Sequence, residues 1–154
     1  MYRFKTGQFK GMILEQVMLR KAPDLYRLAD WAERETILQD MRDDFDKLRK
    51  RLTRARIHEH CYHPRCGKTA RWLTLPRFYR GGWLPHPYYW CDKDRPSEPD
   101  GISNKLPIHF DTIKALRDKR GQRELHKLLC EVLGVTKGTR ITEEFARRFF
   151  AKLR

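Results

Sequence analysis

The sequence predicts an α+β fold that is mostly helical, with helical N- and C-terminal parts on either side of a small cysteine-bearing β-hairpin. Apolar residues recur every three or four positions near both ends of the chain, as they do in amphipathic helices. Between them, two short runs, 68–75 and 83–90, are joined through Arg80-Gly81-Gly82, a pattern typical of two strands and a turn. A length of 154 residues fits one compact domain or two small ones. We divide the chain into three consecutive segments, residues 1–57, 58–95 and 96–154.

The first segment is predicted to hold a hairpin followed by helices. Residues 2–5 alternate like a short strand, and Gly7 and Gly11 bracket a turn. Helical spacing begins at Ile13, and Pro23 stands where a new helix can begin, because its fixed φ suits the first turn.

A long amphipathic helix of about six turns is predicted to follow. Its apolar stripe consists of Ile37, Met41, Phe45, Leu48, Leu52 and Ala55. Its polar face changes from acidic to basic along the chain, and the basic end includes Lys50, Arg51 and Arg54. This order of charge suits the helix dipole, and the same cations could equally form a ridge that contacts phosphate groups. Both interpretations stay open.

The third segment begins with a linker rich in turn-forming residues, which extends to Asn104. Three helices are predicted after it. Ile113 and Leu116 mark the first helix, Gly134 ends the second, and Thr142 caps the third.

No apolar run approaches the roughly 20 residues that cross a bilayer, and the N-terminus lacks the apolar core of a secretory signal. These features predict an intracellular, cytoplasmic protein with no membrane partner. Thiols stay reduced in that compartment, so grouped cysteines there are expected to bind metal rather than to form disulfides.

Three of the four cysteines fall in the middle segment. Cys61 and Cys66 bracket a short loop, and Gly67 follows at once, as in a zinc knuckle, in which a tight turn aims backbone N–H groups at the sulfurs. Cys91 comes 25 residues after Cys66, at the end of an aromatic run. Two knuckles joined by a hairpin make a zinc ribbon, so these three cysteines are predicted to bind Zn²⁺. Cys130 lies on the apolar face of a helix and is predicted to be a core residue.

The spacing leaves the fourth zinc ligand open. His86 is the first choice, because it gives two similar loops between ligands. Asp94 has the better knuckle spacing but is a less usual ligand, and His63 would copy a knuckle with histidine in place of the first cysteine. Two further candidates are His58 and His60.

The predicted zinc site is structural, and the sequence assigns no catalytic residue. A catalytic zinc keeps one coordination position open and works with a general base, whereas Glu59 is the only acidic residue from 58 to 91. Two other functions stay open, namely a protein adaptor or inhibitor that docks through the long amphipathic helix, and a metal-dependent nuclease. The scattered nuclease candidates are His58, Glu59, His60, Asn104, His109 and Asp111.

The net charge of +14 is unevenly distributed. Residues 1–46 hold eight basic and nine acidic residues, and residues 47–154 hold 26 basic and 11 acidic ones. Such a field attracts polyanions, of which nucleic acid is the commonest inside cells. No acidic residue lies between Cys61 and Cys91, where cations that can hold phosphates alternate with aromatic rings that can stack on bases. The predicted nucleic-acid-binding residues are Arg65, Lys68, Arg71, Arg77, Arg80, Lys50, Arg51 and Arg54.

The first 35 or so residues carry three motifs, Gly7-Gln8-Phe9-Lys10-Gly11, Leu14-Glu15-Gln16-Val17 and Pro23-Asp24-Leu25-Tyr26, followed by Trp31. Together they resemble the exodeoxyribonuclease X-like C-terminal domain, a small module with a glycine-bracketed turn and an amphipathic helix. That module often accompanies nuclease and DNA-repair domains. The resemblance therefore implies an accessory or regulatory role in DNA or RNA metabolism, and it transfers no active residue.

Overall fold

The computed structural model describes residues 1–32, 38–55, 57–74, 87–94 and 106–153. Within them the protein is mostly helical with a small antiparallel sheet, which confirms the predicted fold class. The chain forms two compact units. The terminal unit combines Met1–Ala55 with Lys137–Arg154, and the central unit spans Arg56–Thr136. The units therefore do not follow the three consecutive segments, because the last helix packs with the N-terminal ones.

The terminal unit opens with a short hairpin, as predicted. Arg3 and Ile13 form an antiparallel bridge across it. A 3₁₀ turn, Gly7–Phe9, lies between them, and Gly7 and Gly11 have φ values of 74° and 83°. Only glycine adopts that left-handed region without cost, so the two glycines define the turn.

Three helices form the body of the terminal unit: α1 (Leu14–Ala32), α2 (Gln39–Arg54) and α4 (Glu143–Lys152). Lys21 interrupts α1 with non-helical backbone. Pro23 thus lies near the start of a new helical stretch, as predicted, where its missing N–H costs nothing. α1 packs against both α2 and α4.

The apolar stripe of α2 lies inside the terminal unit. Met41, Phe45, Leu48 and Leu52 are buried, and the ring of Tyr26 in α1 packs edge-on against Phe45 with 5.2 Å between centroids. The helix is shorter than predicted, because the backbone at its C-terminal end turns to an extended conformation after residue 54. Residue 37 lies outside the described residues. Packing within the unit therefore already covers the stripe that we considered for a protein partner.

Helix α4 begins as predicted. The Thr142 hydroxyl accepts a hydrogen bond from the Phe145 N–H (3.1 Å), which satisfies one free donor of the first turn. Glu143 in that turn accepts hydrogen bonds from Arg3 (2.7 Å) and Arg147 (2.6 Å), and these two guanidinium groups hold the pKa of Glu143 below its usual value. The N-terminal hairpin and α4 are thereby joined by an ion pair.

The central unit contains a sheet of strand order β2-β1-β3, all antiparallel. The strands are β1 (Trp72–Thr74), β2 (Tyr88–Trp90) and β3 (Leu106–Pro107). Pairing of β1 with β2 confirms the predicted hairpin strands, whereas their predicted connection, 80–82, lies outside the described residues. β3 was not predicted, since two residues that include a proline carry too little pattern to identify a strand.

A 3₁₀ helix, Phe110–Ala115, and α3 (Lys119–Val132) complete the central unit and pack together. The first of these was predicted as an ordinary helix, but His109 Nδ1 accepts from the Asp111 N–H (3.0 Å) and the segment stays short. Beyond α3, Gly134 has a φ of 86°, and a Cβ there would meet His58 Nε2 at 3.2 Å. Gly134 therefore lets the chain turn closely over His58. No helix of the described ranges is long and apolar enough to cross a bilayer.

Candidate metal centre

The first loop of the site is a tight turn that brings Cys61 and Cys66 together. The Cys61 N–H donates to the Lys68 carbonyl (2.8 Å), and the Cys66 N–H donates to the His63 carbonyl (3.1 Å). Arg65 and Gly67 have φ values of 69° and 61°. Arg65 is the only residue of the described chain other than glycine with a positive φ. A residue other than glycine keeps such a conformation where the surrounding structure imposes it. Here the turn brings the sulfurs of Cys61 and Cys66 to the same side of the loop.

The second loop follows strand β2. Cys91 ends the strand, residues 92–94 turn, and the Asp94 N–H donates to Cys91 Sγ (3.3 Å). A backbone donor aimed at a cysteine sulfur is the feature that the knuckle spacing predicts. The Tyr62 N–H donates to the Tyr89 carbonyl (2.7 Å), which ties the first loop to β2 beside the second.

The two loops bring together four donor groups, those of Cys61, Cys66, Cys91 and Asp94. Their ligand atoms all lie within 4.8 Å of one another. Cys66 Sγ and Cys91 Sγ are 3.7 Å apart, and Asp94 Oδ2 lies 3.4 Å from Cys91 Sγ and 4.0 Å from Cys61 Sγ. In a tetrahedral zinc site the bonds are about 2.3 Å to sulfur and about 2.0 Å to oxygen. Two sulfur ligands are then about 3.8 Å apart, and a sulfur and an oxygen ligand are about 3.5 Å apart. The cluster thus has the dimensions of a four-coordinate metal site, and none of its cysteines is in a disulfide.

Hydrogen bonds within the cluster shift the pKa values of its ionisable groups in different directions. Burial opposes ionisation of Cys61, but backbone N–H groups of Cys91 and His63 donate to its sulfur, and the pKa of Cys61 lies below its usual value. The hydrogen bond from the Cys66 thiol to the Asp94 carboxylate raises the pKa of Cys66 to about 12 and lowers that of Asp94. Four ionisable groups this close together form a ligand set that a divalent cation could bind, with release of their protons.

The structure brings together the three predicted cysteines and Asp94, which was the second candidate for the fourth ligand. Asp94 lies in the cluster, whereas His63 is exposed on the first loop and is not part of it. His86, the first choice from the sequence, lies outside the described residues. His58 packs near Gly134, and His60 pairs with Thr69 in a β-bridge.

Cys130 is a core residue, as predicted. It is buried in α3, and its sulfur lies 3.4 Å from His126 Nε2. Burial, reinforced by the charge of Glu131, raises the pKa of Cys130 to about 12. Its thiol is therefore protonated and shielded, and it is not part of the cysteine–aspartate cluster.

The nuclease candidates do not form a second cluster in the part of the chain that the structure describes. His109 caps the 3₁₀ helix and Asp111 lies in its first turn. The cysteine–aspartate cluster is the one potential metal-holding group among the described His, Cys, Asp and Glu residues. Asn104 lies outside the described residues.

The predicted nucleic-acid-binding residues fall in three places. Arg65, Lys68 and Arg71 are exposed around the first loop and β1. Arg77 and Arg80 lie outside the described residues. Lys50, Arg51 and Arg54 are exposed at the end of α2, where the last two line a cleft of about 400 Å³ with Ala151 and Leu153.

Sequence reasoning missed a basic stripe on α3. Lys119, Arg123 and Lys127 are all exposed, and their spacing of four residues places them on one side of the helix. None of the three has an ion-pair partner among the described residues. The four-residue spacing of these cations is visible in the sequence, beside the apolar face of the same helix.

The chain matches no protein-family model, no curated protein and no solved structure. Its function is therefore argued from the site and from the surfaces around it.

Removing the metal is expected to change which thiols react. We expect no reactive cysteine in metal-loaded protein and rapid reaction of Cys61, Cys66 and Cys91 after treatment with a chelator. Cys130 should react more slowly than these three, because the core shields it until the central unit unfolds without its metal. Alkylation followed by mass spectrometry of the peptides measures this. Rapid modification of Cys61, Cys66 and Cys91 in freshly purified protein at full metal content would contradict the assignment.

Substitution of the fourth ligand is expected to weaken metal binding. We expect Asp94→Ala to lower metal affinity by at least about tenfold, since even groups that only support ligands contribute that much. Competition against a chromophoric chelator measures the affinity. Asp92→Ala is the matched control, because it removes an exposed carboxylate from the same turn. A larger loss from His86→Ala or His63→Ala than from Asp94→Ala would assign the fourth position to an imidazole instead.

Proposed function

We propose that this protein binds nucleic acid and that its central unit is folded around a zinc ion. The observation that carries the proposal is the convergence of three sulfurs and one carboxylate oxygen at distances that fit a tetrahedral ion. Thiolates favour zinc over calcium and magnesium, which take oxygen ligands almost exclusively.

The proposed zinc has a structural role. Four protein donors fill a tetrahedral ion and leave no position for a water molecule or a substrate. The central unit also needs a source of stability other than its sheet, because its strands are only two or three residues long. Metal binding supplies folding free energy to such small units.

The proposed partner is a polyanion because of the charge on the central unit. Lys119, Arg123 and Lys127 extend along about 12 Å of α3. One strand of a duplex carries three or four phosphates over a similar length. The loop cations Arg65 and Lys68 are exposed in the same unit. These groups would hold phosphates without reading the base sequence.

The terminal unit offers a second cationic site. Arg51 and Arg54 line the cleft at the end of α2 and have no ion-pair partner among the described residues, so their charge is available to an anion. The resemblance of residues 1–35 to a module found beside nucleases supports an accessory role in DNA or RNA metabolism.

Binding should depend steeply on salt, and the α3 stripe should contribute to the slope. We expect Arg123→Ala with Lys127→Ala to reduce the slope of log K against log salt by about 1.5, because each lost phosphate contact removes about 0.7 to 0.9. Fluorescence anisotropy with labelled oligonucleotides measures the slope.

Lys5→Ala with Lys10→Ala is the matched control, since it removes the same charge from exposed residues of the terminal unit. An equal change in the control would show a general charge effect and exclude the α3 stripe as a contact surface. Cleavage of the oligonucleotide would favour the nuclease alternative, and salt-insensitive binding of a protein would favour the adaptor.

A further inference from the structure

One face of the central sheet carries a cluster of aromatic rings. Tyr88 and Trp90 share a face of β2 because they are two residues apart, and their ring centroids are 6.4 Å apart. The ring of Tyr62, from the first metal loop, packs edge-on against both, at 4.8 Å from Tyr88 and 6.0 Å from Trp90. We call these three residues the aromatic cluster.

Tyr62 is unusually exposed for so large a ring. Its relative exposure is 62%, and the only other large apolar side chain as exposed in the described residues is the N-terminal Met1. Tyr88 and Trp90 are half-buried beneath it. The cluster thus presents a ring to solvent on top of two others, which core packing alone does not require.

The positions of the rings are fixed. The Trp90 indole N–H donates to the Thr74 hydroxyl (2.9 Å) across the β1–β2 pair. The backbone N–H of Tyr62 donates to the Tyr89 carbonyl, and Tyr62 directly follows Cys61 of the metal cluster. Ring positions that are set before binding reduce the entropy lost when a ligand is ordered on them.

The opposite face of the sheet forms the core of the central unit. Leu73 is fully buried and lies opposite Tyr89 in the register of β1 and β2. Burial, with the nearby charges of Glu59 and Glu131, raises the pKa of Tyr89. Tyr62 is the member of the aromatic cluster that faces solvent, whereas Thr74, on the same face of the sheet as Tyr88, is fully buried.

Exposed cations lie beside the cluster. Arg65 and Lys68 belong to the adjoining loop, so they can hold the phosphates of a strand whose bases contact the rings. Arg71 lies 3.7 Å from the Asp92 carboxylate, and Trp72 donates to that same carboxylate (2.7 Å). Asp92 thus engages Arg71, and the feature that this face adds to the loop cations is its rings.

We infer that the aromatic cluster is a stacking platform for the unpaired bases of a single-stranded polynucleotide, with Tyr62 as the ring that contacts the base. The inference rests on the proposed function and adds the class of nucleic acid. Unpaired bases expose their faces to aromatic side chains, whereas bases in a duplex are stacked on each other. Single strands are thus the form of nucleic acid that this face fits.

The test compares labelled oligo(dT) with a duplex of mixed sequence, using the full-length zinc-loaded chain at one salt concentration. We expect the single strand to bind at least about tenfold more tightly. Tyr62→Ala should weaken its binding about tenfold, as the loss of one stacked base predicts. The salt slope should stay unchanged, because no phosphate contact is lost, and Tyr62→Phe should bind like the parent because the ring is retained.

Tyr62→Leu is a second variant that keeps apolar volume over Tyr88 and Trp90 but has no aromatic face, and zinc content is measured for each variant. Weakened binding by Tyr62→Leu at full zinc content supports the platform even if Tyr62→Ala loses zinc. Unaltered binding by Tyr62→Leu, or an equal loss with Tyr62→Phe, would overturn the platform while leaving nucleic-acid binding in place. Absence of binding to every oligonucleotide would overturn the proposed function as well.

Discussion

The proximity of four acidic groups is the constraint on which the central unit depends. Three thiols and a carboxyl lie within 4.8 Å of one another, in two loops beside strands that are only two or three residues long. If all four groups were ionised, their negative charges would repel each other. If all four were protonated, only weak hydrogen bonds would connect them. A divalent cation resolves this conflict, since it replaces shared protons with metal–ligand bonds whose free energy contributes to folding.

The same constraint positions the surfaces that we connect with function. Tyr62 follows a metal-cluster cysteine and is hydrogen-bonded to β2, so the loop that forms the metal cluster also holds the exposed ring in place. The cations of α3 belong to a helix with its own apolar packing against the 3₁₀ helix. Stacking and charge therefore come from different elements of one unit, which is why their contributions can be separated by substitution.

Much of the fold was predictable because it depends on local chemistry. Thr142, Gly134 and Pro23 each satisfy a requirement of a helix end, and the apolar spacing of α2 follows from helical geometry. The two-unit organisation was not predictable, because α4 packs on α1, which is far away in sequence. Strand β3 could not be predicted from the sequence, because its pairing with β1, and not its own composition, makes it a strand. The spacing predicted the three cysteines of the cysteine–aspartate cluster, but the place of Asp94 in it depends on the turn that aims its carboxylate at Cys91.

X-ray absorption spectroscopy at the zinc edge measures the proposed ligand set directly in the full-length protein. We expect one zinc per chain, with three sulfur neighbours at about 2.3 Å and one oxygen neighbour at about 2.0 Å. A shell made only of nitrogen and oxygen, or protein purified without any bound transition metal, would contradict it.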